Sequence, residues 1–155
     1  MKVAIGSDHA GFALKETLRL WLLDAGYEVT DVGTFNSDRC DYPKFGAMVA
    51  RAVAEDQVDA GVVVCGSGQG ICMAVNKVPG ARGGVIRDSQ DAIMTRRHNN
   101  ANVASFGEQY TEPSKAIEAL DVFLTTPFDG GRHQARVEML AQLDLNAQEF
   151  DPPQD

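Results

Sequence analysis

The sequence lacks the features that mark several large classes of protein. Its 155 residues include only three cysteines, with no CxxC pair, so neither a disulfide framework nor a zinc site is expected. No hydrophobic run approaches the roughly 18 to 20 apolar residues of a membrane-spanning helix, and no signal-peptide layout precedes the first strand pattern. The formal net charge of -8 argues against binding to nucleic acid or anionic membranes. We therefore expect a soluble, cytoplasmic protein with free thiols.

Strand-like and helix-like segments alternate along the chain. The length and the 44% hydrophobic fraction fit one compact domain, expected over residues 1–147, with a loose tail at 148–155. Five strand patterns are each followed by a helical pattern, and a last helix runs from about residue 132 to 145. This alternation predicts a parallel sheet covered by helices on both faces. The predicted strands are residues 2–7, 27–31, 60–65, 80–86 and 103–106.

The stretch at residues 62–70 combines three valines, Cys65 and a glycine-rich turn. The valines predict a strand buried on both faces, and the glycines predict a tight turn into a helix. Backbone N–H groups at such a turn favour negative charge, on a phosphate, an enediolate oxygen or the Cys65 thiolate. Neither of two nucleotide-binding motifs fits. The dinucleotide-binding motif is G-x-G-x-x-G, whereas these glycines are spaced G-x-G-x-G, and the segment 6–11 lacks the lysine of a P-loop.

Three segments are expected to converge where parallel strands end: residues 8–9, residues 65–70 and Gly107. A thiol at a helix N-terminus has a lowered pKa and can remove a weakly acidic C–H proton, while nearby N–H groups stabilise the oxyanion. Near the same edge, His9 and His98, beside the polar Asp8 and Asn99, can protonate sugar oxygens.

Positive charge gathers near the last helix. Arg132 and Arg136 stand four residues apart on one helix face, with His133 beside the first, directly after two glycines. Two guanidinium groups at a helix N-terminus match phosphate oxygens, so we expect a phosphate clamp. If the clamp lies far from the sheet edge of its own chain, it would serve a neighbouring subunit.

Each candidate also has a simpler structural interpretation. The glycines can serve only to let a strand and a helix pack closely, and a buried cysteine such as Cys65 often acts as a small core residue. Asp8 can cap the first helix, and a single histidine is usually structural or solvated. Surface arginines usually pair with acids such as Glu138.

Six segments together resemble the type B ribose-5-phosphate isomerases, which are grouped with the galactose-6-phosphate isomerase subunits. They are residues 7–12, 41–43, 65–71, 74–77, 97–99 and 131–137. The resemblance extends to about Leu145. It implies a three-layer, Rossmann-like α/β fold with a five-stranded parallel sheet. It also implies interconversion of ribose 5-phosphate and ribulose 5-phosphate through an enediolate, with no metal and no other cofactor.

The resemblance also implies a role for each matching residue. Cys65 corresponds to the base that moves the proton, His98 to the ring-opening acid or base, and Ser67 to an assisting hydroxyl. The implied substrate contacts are Asp8, His9, Asn99, the loop residues Gly66, Gly68, Gln69 and Gly70, and the phosphate ligands Arg132 and Arg136, with His133 as a further candidate. Because the family's sites lie between two subunits, a homodimer is implied, and dimers can pair into tetramers.

One position departs from the family pattern. Many members carry an arginine two residues after the Phe-Gly of the fifth strand, where this chain has Gln109. The preferred substrate therefore stays open, with tetrose 4-phosphates, allose 6-phosphate and galactose 6-phosphate as alternatives. A non-catalytic module that binds a phosphate or nucleotide with the same glycine turn and arginines is the remaining alternative.

Overall fold

A computed structural model describes residues 1–145 of the chain as three layers, with a parallel sheet between two layers of helices. The strands are β1 (Lys2–Ser7), β2 (Glu28–Asp31), β3 (Ala60–Cys65), β4 (Gly83–Val85) and β5 (Val103–Gly107). All neighbouring pairs are parallel, in the order β2-β1-β3-β5-β4. The predicted fold class is confirmed, while the tail predicted at 148–155 lies outside the described residues.

Within the described residues, six α-helices connect and cover the strands. They are α1 (Phe12–Asp24), α2 (Tyr42–Ala54), α3 (Gln69–Val75), α4 (Ser89–Asn99), α5 (Pro113–Thr125) and α6 (Gln134–Leu145), and short 3₁₀ turns precede α1 and α6. Apolar side chains of α1, α4 and α5 share one buried cluster with the sheet, and those of α2 and α3 share the other. Within residues 1–145, no helix is both long and apolar enough to cross a bilayer.

The central strand β3 divides its side chains between the two layers. All six of its residues are buried. Val62 and Val64 belong to the cluster on the α1 side, whereas Val63 and Cys65 belong to the cluster on the α2 side. This division follows from the alternation of side chains along a strand. It directs the Cys65 side chain toward α2 and α3.

Helix α4 places its last residues far from the end of the strand before it. Asp88 caps its start by accepting a hydrogen bond from Asp91 N at 2.8 Å. The helix ends at Asn99, and Asn100 takes a left-handed conformation with φ of 47°. His98 and Asn99 therefore lie in its last turn.

Strand β4 is shorter than the predicted 80–86. Residues 78–81 form a turn in which Ala81 N donates to Val78 O at 3.1 Å. Backbone engaged in that turn is unavailable for pairing with β5. The strand therefore begins only at Gly83.

Candidate active site

Three chain segments meet at the carboxyl edge of the sheet. Asp8 follows β1, Cys65 ends β3 and Gly107 ends β5. Asp8 N donates to Val64 O at 3.3 Å, and Glu108 N donates to Cys65 O at 3.0 Å. One chain thus brings together the three segments that the sequence placed at this edge.

The thiol of Cys65 is buried but has a polar partner. The residue is 4% exposed and belongs to the same apolar cluster as Phe45 and Ile71. Its Sγ accepts a hydrogen bond from the backbone N–H of Gly68 at 3.1 Å. Such a bond stabilises a thiolate relative to a thiol. The geometry is compatible with a packed core residue and with a positioned base, so the catalytic role stays a prediction.

The glycine loop at residues 66–70 lies tightly against β5. A Cβ atom on Gly107 would come within 2.6 Å of the Ser67 backbone. Gly68 has a φ of 75°, which glycine adopts without strain, and its carbonyl oxygen accepts a hydrogen bond from Ser105 Oγ at 2.7 Å. These contacts hold the loop in one position beside the sheet.

A cleft opens beside the glycine loop. It has a volume of about 390 Å³ and is lined by Ser67, Gln69, Val85, Arg87 and Tyr110. Ser67 Oγ accepts a hydrogen bond from Gln69 N at 3.2 Å, which leaves its O–H available to a ligand. The volume lies in the range of sites for small molecules.

Asp8 and His9 are both held by backbone groups. Asp8 Oδ1 accepts a hydrogen bond from Gly11 N at 3.0 Å, so this aspartate does cap the turn that leads into α1. His9 Nδ1 lies 3.0 Å from the carbonyl oxygen of Cys40. Neither the second carboxylate oxygen of Asp8 nor His9 Nε2 has a hydrogen-bond partner among residues 1–145. Both atoms are therefore available to a ligand.

A second group of side chains surrounds His98 at the end of α4. The rings of His98 and His133 stack with their centroids 4.2 Å apart and their planes at 8°. Arg132 Nε donates to His133 Nε2 at 3.4 Å. Asp129 pairs with Arg97 at 2.9 Å, and this hydrogen-bonded ion pair lowers the pKa of Asp129. Three of the predicted site residues therefore form one cluster.

The cationic side of this cluster remains available to an anion. In the part of the chain that the structure describes, neither Arg132 nor Arg136 forms an ion pair. Glu138, the acid expected to neutralise them, accepts a hydrogen bond from Gln134 at 2.8 Å instead. Burial, followed by the nearby cationic groups, lowers the pKa of His133. These features are compatible with the predicted phosphate clamp.

The same cluster is poorly arranged for a metal ion. Ligand atoms of His98, Asp129 and His133 lie within 4.8 Å of one another. Two imidazoles bind one metal through lone pairs that converge on it, whereas nearly parallel stacked rings direct their lone pairs side by side. Asp129 is also already paired with Arg97. The donor set suits an anion better than a cation.

The two groups lie at opposite edges of the sheet within one chain. Gly61 N donates to Asn102 O at 2.9 Å, which places the residues after α4 beside the amino end of β3. From Gly61 to Cys65 the strand rises about 13 Å. The structure therefore corrects the expectation that His98 shares an edge with Cys65 in one chain, because α4 runs antiparallel to the strands.

Asn99 also lies at the amino edge. It lines a cleft of about 500 Å³ between α4 and α6. The cleft also contacts Asn76, Arg82, Thr95, Leu140 and Asp144. Within one chain Asn99 is thus grouped with α6 rather than with Asp8 and His9.

Three further side chains around these groups were not assigned a role from the sequence. A Cβ on Gly70 would lie 2.7 Å from the Tyr42 ring, so this ring covers the glycine loop. Asp129 pairs with Arg97 beside the two histidines. Glu108 Oε2 accepts a hydrogen bond from Leu14 N at 2.9 Å. These contacts join distant parts of the sequence, and no local pattern signals them.

These features define an α/β protein with two groups of residues suited to an anionic small molecule, a glycine loop with a buried thiol and a cluster of imidazoles and guanidiniums. A family model described as Ribose/Galactose Isomerase matches residues 3–140. The chain belongs to this family of isomerases.

Relatives support the same assignment over nearly the whole chain. The chain is 41% identical to ribose-5-phosphate isomerase B of Escherichia coli over 143 residues, covering 92% of this chain and 96% of that protein. Its fold matches the Clostridium thermocellum ribose-5-phosphate isomerase B with a TM-score of 0.92, at 43% identity, covering 94% of this chain and 98% of that one. It also matches the Mycoplasma genitalium enzyme, solved with bound ribulose-5-phosphate, with a TM-score of 0.89, at 34% identity, covering 93% and 96%.

Proposed function

We propose that this protein interconverts ribose 5-phosphate and ribulose 5-phosphate. One observation carries the assignment of the base: in a chain of this family, Cys65 Sγ ends a buried strand and accepts a hydrogen bond from Gly68 N at 3.1 Å. The relatives named above are ribose-5-phosphate isomerases, and one of them holds ribulose-5-phosphate. No cofactor takes part in the proposed reaction.

Proton transfer through Cys65 accounts for the isomerisation. The thiolate removes the proton from C2 of the open-chain aldehyde, the C–H electron pair forms a C1–C2 double bond, and the carbonyl pair moves to O1. Backbone N–H groups of residues 66–70 stabilise the enediolate oxygen. The proton then returns from Sγ to C1, while the proton on O2 moves to O1 with help from the Ser67 hydroxyl. A ketone remains at C2.

A homodimer would complete the site. We place Cys65, Asp8 and His9 of one protomer opposite His98 and the arginines of the other, because the two groups occupy opposite edges of one chain. The imidazole of His98 would open the sugar ring by exchanging a proton with the ring oxygen and O1. Arg132 and Arg136 would bind the phosphate. Asn99 and His133 lie beside these groups and would contact the same ligand.

Gln109 would contribute a neutral donor to the site. Its Nε2 lies 3.2 Å from the position of a Cβ on Gly66, so the amide rests on the glycine loop. An amide can donate to a sugar or phosphate oxygen but adds no charge. The negative charge of the phosphate would then be met chiefly by Arg132 and Arg136.

We also propose that residues 1–147 form a single isomerase domain that works in the cytoplasm. The family match at 3–140 falls within this range. Cys40, Cys65 and Cys72 are free thiols, as suits a reducing compartment.

Solvent exchange tests the role of Cys65. In heavy water the wild-type protein should incorporate deuterium at C1 of ribulose 5-phosphate formed from ribose 5-phosphate. Cys65→Ala should lower both exchange and turnover by about a thousandfold, the range of a lost general base. Cys40→Ala, which removes a thiol outside the proposed reaction, should stay within about twofold of wild type. Full exchange by Cys65→Ala would exclude the thiol as the base.

A further inference from the structure

We propose that Glu108 is a positioning residue for the isomerase reaction. This role rests on the function proposed above. It concerns a residue that acts on the site without touching the substrate. Glu108 follows β5 and is partly buried. Its side chain and its backbone hold two different segments of the site.

The side chain of Glu108 holds the start of α1. Its Oε2 accepts a hydrogen bond from Leu14 N at 2.9 Å, across 94 positions of sequence. The cap residue of α1 is Gly11, which has no side chain to offer. A carboxylate at a helix N-terminus also meets the positive end of the helix dipole. Because α1 directly follows residues 8–9, this bond ties the Asp8 and His9 segment to the end of β5.

The backbone of the same turn holds the glycine loop. Glu108 N donates to Cys65 O, and Gln109 N donates to Gly66 O, each at 3.0 Å. Tyr110 N donates to Gly107 O at 3.0 Å and closes the turn. One anchored turn therefore holds the segment of Asp8 and His9, which are predicted to contact the substrate, and the loop that follows the predicted base Cys65.

These bonds determine where the loop N–H groups point. In a planar trans peptide the C=O and the following N–H are directed to opposite sides. Fixing the carbonyl oxygens of Cys65 and Gly66 toward the turn therefore aims the N–H groups of Gly66 and Ser67 away from it. Their orientation would be lost if the turn moved. A shift of about 1 Å in such donors can cost up to a hundredfold in rate.

Two substitutions separate positioning from folding alone. Glu108→Ala should lower kcat about tenfold in protein that circular dichroism shows to be fully folded, with KM for ribose 5-phosphate within about twofold. KM should hold because the proposed phosphate ligands, Arg132 and Arg136, come from the other protomer, and the Glu108 turn does not hold them. Glu108→Gln should restore kcat to within about threefold of wild type, since the amide oxygen can accept the bond from Leu14 N.

Hydrogen exchange gives a readout that does not need turnover. In Glu108→Ala, amides in peptides covering residues 62–70 should exchange at least about tenfold faster than in wild type, as expected of a segment that opens more easily. Glu112→Ala removes a nearby acid whose side chain caps no helix, and it should leave both kcat and exchange unchanged.

The outcomes distinguish the two proposals. If the wild-type protein turns over no ribose 5-phosphate, the proposed function is overturned. Faster hydrogen exchange in Glu108→Ala would still show that Glu108 holds the glycine loop. Wild-type kcat and wild-type exchange in folded Glu108→Ala would overturn the positioning role and keep the function. Failure of Glu108→Gln to restore kcat would also overturn the positioning role, because a hydrogen-bond acceptor would then not suffice.

Discussion

The thiols of Cys65 and Cys72 differ in their surroundings although both are buried. Burial, and then the neighbouring Cys65, raises the pKa of Cys72 to about 11. The Cys72 Sγ accepts only a long contact from Asn76 Nδ2 at 3.6 Å, whereas the Cys65 Sγ accepts the Gly68 N–H at 3.1 Å. A thiol with so high a pKa stays protonated near neutral pH. This argues against Cys72 as the base and leaves Cys65 as the proposed one.

Lys15 shows how a buried charge is compensated near the site. Its Nζ lies 2.6 Å from Asp31 Oδ2 and 2.9 Å from Glu16 Oε1, and its side chain is fully buried. Asp31 Oδ1 also accepts a hydrogen bond from Gly33 N at 2.8 Å. This partly buried ion pair thus fixes the start of the loop in which Cys40 contacts His9.

Acid should weaken the fold through Glu16. The hydrogen bond from Arg19, opposed by burial and supported by Lys15, lowers the pKa of Glu16 from 4.5 to about 2. A carboxyl whose folded pKa is depressed stabilises the fold above pH 4.5, and that contribution is lost as the pH falls toward 2. Between pH 4.5 and about 2, the wild type should therefore lose about 1 kcal/mol more unfolding free energy than Glu16→Gln does. Solvent screening limits the size of this difference. Urea unfolding at a series of pH values measures it, and parallel wild-type and variant curves would contradict it.

At the scale of elements, the strongly patterned segments were predicted best. The bounds of β3, Ala60–Cys65, agree with the sequence because a short run of β-branched valines followed by glycines favours a buried strand. Strand β4 was predicted too long, since a turn at 78–81 competes for its first residues. His98 lies at the amino edge because α4 runs antiparallel to the strands. The direction of α4 depends on how it connects β4 to β5, and no local sequence pattern predicts it.

The contact between the glycine loop and β5 gives a prediction for one element. Gly107→Ala should destabilise the protein by about 1 to 3 kcal/mol and lower activity at least about tenfold, because its Cβ would press on the Ser67 backbone rather than on a flexible side chain. Thermal unfolding and turnover of the folded variant measure the two effects.

Gly26→Ala is the matched control for this change. Gly26 has a φ of 86° and no atom near a built Cβ. Its replacement should cost about 1 kcal/mol through backbone strain while leaving the activity of folded protein near wild type. Equal activity in folded Gly107→Ala would show that the loop tolerates displacement.

At the scale of the whole molecule, α6 is the least enclosed element. None of its residues is buried within the chain, and Met139, Leu140 and Leu143 are each at least 40% exposed. Asp144 Oδ2 accepts a hydrogen bond from Gly80 N at 2.8 Å and joins the helix to the body. A helix with uncovered apolar side chains suits contact with a second protomer.

The sequence supplied the members of the site but not their arrangement. Cys65 and the glycine loop could be assigned to the carboxyl edge, because alternating strands and helices predict a parallel sheet, in which the loops after the strands lie at that edge. His98, Arg132 and Arg136 could be named as a set, but their distance from Cys65 depends on how α4 and α6 pack. Only the folded chain shows that the two groups occupy opposite edges, from which we infer that two chains share each site.

Mixed dimers test whether two chains share one site. Dimers carrying Cys65→Ala in one protomer and His98→Asn with Arg132→Ala in the other are purified through two different tags and assayed with ribose 5-phosphate. Each parent dimer should be inactive. The mixed dimer should recover roughly half of wild-type activity, because one of its two equivalent sites draws an intact thiol and an intact cationic cluster from different chains. A purified mixed dimer as inactive as its parents would show that each site is built from a single chain.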